Sequence, residues 1–289
     1  MQDLARGIRN VYGYMNRGSS VRADQGCGEE ERQKAHIQKS SPRKWDVGHC
    51  RAAHDCRAAR LGRCYTPAMC PEISRGFFVT FEGLDGSGKS TQIRRLANWL
   101  EADRGEEIVI TRQPGGTKIG DQVRKLLLDS RTQIAPRAEL GLMFSDRAQC
   151  ISEVITPALE QGKIVVCDRF TDSTEAYQGG GRELGSEVVL SLHKDICGGL
   201  QPDLTLLLLP DFDRSLERAR RRNDRKGERG SDENRFERED EFFYRRVFDK
   251  YCEIALREPL RVVVIGDGGI KQVHNAIVEI VEERLKDYR

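Results

Sequence analysis

The stretch Gly76-Phe77-Phe78-Val79-Thr80-Phe81-Glu82-Gly83-Leu84-Asp85-Gly86-Ser87-Gly88-Lys89-Ser90-Thr91 decides the architecture. Its first seven residues are a short apolar run, the pattern of a strand buried on both faces. Residues 83–90 match G-x-x-x-x-G-K-[ST], and 92–100 continue as an amphipathic helical pattern. Glycines let such a loop wind tightly, so that successive N–H groups point inward at phosphate oxygens. The helix that follows adds its positive N-terminal end. In this reading Gly83, Leu84, Asp85, Gly86, Ser87, Gly88, Lys89, Ser90 and Thr91 cradle the phosphates of ATP. Lys89 reaches the β- and γ-phosphates, and the Ser90 hydroxyl binds Mg²⁺. A bland glycine-rich turn is the alternative, and the flanking strand and helix argue against it.

Outward from this loop, short apolar runs alternate with helical patterns. Strands are predicted at 107–111, 163–167, 204–209 and 261–265. Helices are predicted at 120–128, 137–159, 171–177, 186–195, 215–222, 242–255 and 270–288. Strands of this kind, separated by helices, imply an α/β fold: a five-stranded, mostly parallel sheet covered by helices on both faces. In such sheets ligands bind beyond the carboxyl ends of the strands. Every motif discussed below falls at such an end or on the helix after it.

Residues 1–75 have a different texture. They carry 14 basic and 8 acidic side chains, whereas 76–289 carry 34 and 38. Their apolar positions show no period, which favours a disordered extension or a start-site artefact. An Arg-rich transit peptide is opposed by Asp24 and by Glu29, Glu30 and Glu31. The spacings of His49, Cys50, His54, Cys56 and Cys64 fit no standard zinc pattern. Cys150, Cys167, Cys197 and Cys252 lie mostly in apolar stretches and read as buried thiols of a reducing compartment. With no apolar run of about 18–20 residues and no secretory signal, a soluble, cytoplasmic protein without a membrane partner is expected. The domain is therefore expected to begin near residue 76 and to end at 289.

Several further blocks are more specific. Thr111-Arg112-Gln113-Pro114-Gly115-Gly116-Thr117 follows the second strand. Phe144 and Arg147, three apart, share a helix face that suits a nucleobase, or equally a core ring beside a solvated guanidinium. Asp168 ends a buried strand, where a carboxylate needs a cation or donors, and can contact Mg²⁺ through water. Arg169 beside it can fork onto a phosphate, unless the two form a structural pair. Ser173, Thr174, Tyr177 and Gln178 follow on one and a half helical turns.

Together with the phosphate loop, these blocks resemble the thymidylate kinases of the bacterial type, from about residue 76 to the C-terminus. The family patterns are T-R-E-P-G-G-T, L-L-F-x-A-D-R-A-Q and D-R-[YFH]-x-x-S-x-x-A-Y-Q-G. The resemblance implies phosphoryl transfer from ATP to dTMP, with Phe144 and Arg147 holding thymine. It implies that Arg112 and Arg169 hold the acceptor phosphate, and that Ser173, Thr174, Tyr177 and Gln178 line the acceptor site. By the same resemblance Asp85 contacts the acceptor nucleotide or its metal. Gly86 stands where eukaryotic-type enzymes carry Arg, so transition-state arginines should come from a mobile lid. A homodimer is also implied.

Residues 214–238 are dense in arginine and are expected to form that lid, although alone they would read as a solvated charged loop. Arginines placed on a transferring phosphoryl group contribute about 10³–10⁵ in rate. The resemblance points to Arg220 or Arg222, with Arg229 or Arg235, and to Glu237 as a metal-site carboxylate. Interleaved Asp224, Glu228, Asp232 and Glu233 argue against a nucleic-acid footprint, so no nucleic-acid partner is expected. Two departures stand out: Asn234-Arg235-Phe236-Glu237 replaces D-R-x-E, and Gln113 replaces Glu. The rival readings are a kinase for another nucleotide or a deoxynucleoside, and a nucleic-acid-stimulated NTPase. A chain beginning at Met69 is expected to keep full turnover, and a comparison of specific activities with the full chain checks this.

Overall fold

The computed structural model describes residues 76–214, 217, 235–236 and 239–288. The extension read at 1–75, the helix read at 215–222 apart from residue 217, and Arg220, Arg222, Arg229 and Glu237 lie outside the described residues.

Five strands form one sheet: β1 (Phe78–Glu82), β2 (Ile108–Arg112), β3 (Ile164–Asp168), β4 (Leu204–Leu208) and β5 (Val262–Ile265). Their spatial order is β2-β3-β1-β4-β5, and every pairing is parallel. The expectation of a mostly parallel sheet therefore becomes an all-parallel one. The helices are α1 (Lys89–Ala102), α2 (Lys118–Leu128), α3 (Pro136–Cys150), α4 (Thr156–Glu160), α5 (Thr171–Thr174), α6 (Ser186–Cys197), α7 (Glu241–Arg257) and α8 (Ile270–Tyr288).

Alternation along β1 feeds two cores. Val79 and Phe81 pack with Leu96 and Leu100 of α1 and with Ile277 and Val281 of α8. Phe78 faces the other way, with Val165, Cys167, Cys150, Ile155, Leu159 and Phe170. Each such buried side chain contributes roughly 1.5–3 kcal/mol through apolar area withdrawn from water. Because both faces are covered, β1 reads as an unbroken apolar run rather than an alternating one. Within the strand Thr80 meets Thr205 of β4 hydroxyl to hydroxyl at 2.8 Å.

Two predicted helices are interrupted. The segment read as one helix over 137–159 contains a π-helical turn at Ile151–Ile155, before α4. Pro157 follows at once, and without an N–H it cannot serve the carbonyl of Glu153 four residues back. The wider turn reassigns the carbonyls: the Thr156 amide donates to Ile151, five residues back. The helix read over 171–177 likewise passes from α5 into a π turn, Glu175–Gly181. That turn packs against α7. A Cβ on Gly181 would stand 2.5 Å from the Phe243 ring, so only glycine permits the approach. Glu175 is wholly buried there, forked onto Arg257 at 2.6 and 2.7 Å.

The carboxyl ends of β1, β2 and β3 lie side by side. Phe81 pairs with Asp168, and Arg112 pairs with the same residue from the other flank. The loops leaving these three strands therefore open at one place.

Candidate active site

The loop after β1 carries Gly83 at φ 128°, Gly86 at 81° and Gly88 at 100°, backbone that side chains avoid. At Gly83 space also forbids substitution, since a Cβ would lie 2.1 Å from the Leu208 carbonyl oxygen. The loop is thus pressed against the end of β4, and α1 starts at its far side with Lys89. The Lys89 ammonium donates to the carbonyls of Gly83 (3.0 Å) and Leu84 (2.8 Å), from inside the loop it belongs to. Burial, with Arg169 nearby, lowers its pKa to about 8, against the pull of Asp85.

Arg169 follows β3 in the left-handed region, φ 70°, a costly conformation for a side chain of this size. That backbone turns the guanidinium back over β1. One nitrogen, Nη2, donates to Asp85 Oδ1 at 2.7 Å and to the Tyr177 hydroxyl at 3.4 Å. The other, Nη1, donates to the Gly83 carbonyl and Ser173 Oγ at 3.0 Å each and to the Tyr251 hydroxyl at 3.3 Å. Tyr177 donates to Asp85 Oδ2 at 3.2 Å. Burial opposes the Asp85 charge, but Arg169 and Lys89 outweigh it and hold the carboxyl well below the usual carboxylate range.

A cavity of about 370 Å³ opens over this loop, with Asp85, Lys89, Ser90, Gln113, Asp168 and Arg169 among its walls. A wider groove of about 810 Å³ continues past Ser90, Asp168 and Arg112 toward Thr117 and Lys118. Arg112 is half exposed there and lies 3.5 Å from Asp121. Gly86, Gly88 and Thr91 border the smaller cavity as well, and Leu84 and Ser87 are buried behind it.

Asp168 Oδ1 is buried and accepts no hydrogen bond. An orphaned carboxylate oxygen in the same cavity as the Ser90 hydroxyl suits a hard cation such as Mg²⁺, which takes oxygen ligands and completes its shell with water and phosphate. These donors fit the ion expected from the sequence.

The thymine-holding pair predicted on α3 has a particular geometry. Arg147 is 2% exposed, and its guanidinium lies 5.1 Å over the Phe144 ring and 5.2 Å over Phe170. Phe144 itself is fully buried and presents no surface of its own, because Arg147, Leu140 and Val189 cover it. Arg147 donates to Gln113 Oε1 (2.8 Å), the Phe170 carbonyl (3.1 Å) and Thr174 Oγ1 (2.8 Å). Its Nη1 and the neighbouring Gln113 Nε2 are buried donors with no acceptor. Native interiors rarely leave such groups unpaired, and carbonyl oxygens of a nucleobase would satisfy them.

Ser173, Thr174, Tyr177 and Gln178 are all buried. Ser173 donates to Glu82, and Gln178 Nε2 donates to Glu139 Oε1 at 2.7 Å. Arg235, one of the lid arginines named from the sequence, is among the described residues. It lies on Glu139 at 2.7 Å and on the Leu127 carbonyl at 2.7 Å, with its side chain 10% exposed. A buried carboxylate holds it, and both of these partners lie outside the phosphate loop.

Sequence reading passed over Glu82, Tyr251 and Glu139. Glu82 ends β1, fully buried, and accepts from the Phe170 amide (2.6 Å), from Ser173 and from the Tyr251 hydroxyl (3.3 Å). A charged residue closing an otherwise apolar strand was the available signal. Tyr251 had none beyond its place on the inner face of a helix far along the chain.

Burial, aided by Asp172, raises the Glu82 carboxyl to about 7. Its folded pKa lies above the ordinary value of 4.5, so the stability its protonated form contributes is full below 4.5 and is lost as pH rises through 7. Glu82→Gln should flatten the fall in thermal midpoint across that window. Midpoints of both proteins from pH 4.5 to 8 check this, and parallel curves would contradict it.

The thymidylate kinase family model matches residues 81–277. The thymidylate kinase of Pelobacter propionicus is 47% identical over 215 residues, covering 73% of this chain and 97% of that protein. That of Desulfovibrio desulfuricans is 52% identical over 189 residues, covering 65% and 86%. The crystal structure of thymidylate kinase from Ehrlichia chaffeensis superposes with a TM-score of 0.58 at 33% identity, covering 72% of this chain and 99% of that one. The matched span holds the phosphate loop, Arg112 at the end of β2, Arg169 after β3, and the acceptor wall. The chain belongs to the thymidylate kinase family.

Proposed function

We propose that the chain transfers the γ-phosphoryl group of ATP to dTMP, giving ADP and dTDP on the route to dTTP. The observation that carries this reading is the single cavity that joins Lys89 and Ser90 to Asp168, Arg169 and Gln113 in a chain of this family.

The acceptor phosphate oxygen is already a nucleophile at neutral pH, so the reaction needs no strong general base. Catalysis is positioning and charge stabilisation. Lys89 exchanges the Gly83 and Leu84 carbonyls for phosphate oxygens and draws negative charge from the transferring group. Arg112 and Arg169 hold the acceptor phosphate, and Asp85 keeps Arg169 aimed until it arrives. Arg147 and Gln113 donate to the base carbonyls, with Phe144 supporting the guanidinium from beneath. Tyr177 closes the sugar side. Ser90 and Asp168 would hold Mg²⁺, which supplies charge neutralisation between the phosphates. Arg220, Arg222 and Glu237 belong to this proposal by family resemblance.

The coarser surroundings fit. No helix among the described residues is long and apolar enough to cross a membrane. The four described cysteines are free and buried, as a reducing cytoplasm would leave them. A homodimer is the assembly proposed by resemblance, with the lid at 214–238 and the domain at 76–289.

Coupled ADP release with dTMP, dUMP, UMP, CMP, AMP, GMP and thymidine as acceptors tests the reading. A strong preference for dTMP is expected, and Lys89→Ala should abolish turnover with the fold intact. Hydrolysis stimulated by single-stranded DNA without acceptor-dependent turnover would overturn it. Arg147→Ala should raise the KM for dTMP about tenfold and lower kcat less, as loss of uniform binding does. An unchanged KM with a reduced kcat would remove Arg147 from base binding.

A further inference from the structure

Glu139 is a heavily engaged carboxylate outside the phosphate loop. Its side chain is fully buried, yet it is anchored on α3 among apolar neighbours. Four donors converge on it. Gln178 Nε2 reaches Oε1 at 2.7 Å, and Arg182 Nε reaches the same oxygen at 3.3 Å. Arg182 Nη2 lies 3.2 Å and Arg235 Nη2 2.7 Å from Oε2. Arg182 also pairs with Glu239 at 2.6 Å. Two guanidiniums and two carboxylates thus balance one another inside the protein, which is the condition under which charges tolerate burial.

This cluster has a passenger. Phe236, 8% exposed, sits under the Arg235 guanidinium at 4.6 Å and near Arg182 at 5.8 Å. Its carbonyl accepts from the Tyr244 hydroxyl at 3.0 Å. Its ring meets Tyr177 edge to face, centroids 5.9 Å apart and planes at 88°. Tyr177 is held on another side by Arg169, 5.0 Å from the ring centre, and its hydroxyl bonds Asp85. Gln178, next in the chain, is tied to Glu139 directly. The Tyr177–Gln178 wall is thus gripped through both of its members by one ion cluster.

We propose that Glu139 and Arg235 are positioning residues for the acceptor. They clamp Phe236 against Tyr177 and fix Gln178, and so set the shape of the acceptor wall. Arg235 acts on the acceptor's affinity rather than on the transferring phosphoryl group. This rests on the dTMP kinase reading and deepens it.

The roles separate in steady-state kinetics. Arg235→Met keeps most of the side-chain volume and removes the ion pair. Phe236→Leu leaves the ion cluster intact and removes the ring edge, which keeps the test open if Arg235→Met or Glu139→Gln fails to fold. Each variant should raise the KM for dTMP about tenfold, leave the KM for ATP unchanged and lower kcat less than about threefold. Combining Glu139→Gln with Arg235→Met should cost no more than either alone, because one network is being broken. A fall in kcat at unchanged KM for dTMP would overturn the proposal and return Arg235 to the transition state. A lower melting temperature with both kinetic constants unchanged would overturn it as well, leaving a purely structural cluster. Wild-type protein in the same assay isolates the parent reading. Absence of dTMP-dependent turnover there would overturn both, whereas wild-type turnover with an unchanged KM in Phe236→Leu would overturn the clamp alone.

Discussion

Asp85 and Arg169 face each other across the carboxyl ends of β1 and β3, 2.7 Å apart and largely out of water. An ion pair taken from solvent needs its remaining polar atoms satisfied, or desolvation exceeds the Coulombic gain. The surrounding groups meet that demand. Gly83 lends a carbonyl, Ser173, Tyr177 and Tyr251 lend hydroxyls, and Glu82 anchors Ser173 and Tyr251 from below. The left-handed backbone at Arg169 is what turns the guanidinium into this nest. Phosphate loop, acceptor wall and α7 are therefore parts of one hydrogen-bonded unit rather than three neighbours.

The unit is charged in a way that suits phosphate chemistry. Lys89 and Arg169 are satisfied by carbonyls, hydroxyls and one carboxylate, and the neutral groups among these are weaker partners than an ionised phosphate oxygen. Incoming nucleotides can take over these bonds without any new cation having to be buried. Preorganised donors of this kind spend no reorganisation energy at the moment of transfer, the main electrostatic advantage of an enclosed site over water.

Much of this was legible in the amino-acid sequence, and for identifiable reasons. The strands stand out because a sheet covered on both faces needs continuous apolar runs, as in Ile164–Asp168 and Leu204–Leu208. The loop at 83–90 is fixed at Gly83, Gly88, Lys89 and Ser90, and the apolar strand before it and the helical pattern after it complete its identification. What stayed hidden depends on contacts between distant segments. Tyr251 reaches Glu82 across 169 positions, and Arg235 reaches Glu139 across 96. No local period encodes either meeting. The two π turns escaped for a different reason: their residues have ordinary helical patterns, and the widening comes from Pro157 in one case and from close packing of α7 in the other.

The glycines of the π turn bear on how freely this protein can vary. A Cβ at Gly180 would stand 2.8 Å from the Lys250 side chain, and one at Gly181 would strike Phe243, both on the helix that also carries Tyr251. Substitution at either position would shift α7 outward and carry the Tyr251 hydroxyl off Glu82, although neither position touches the phosphate loop. Residues remote from the chemistry are in this way denied to neutral drift.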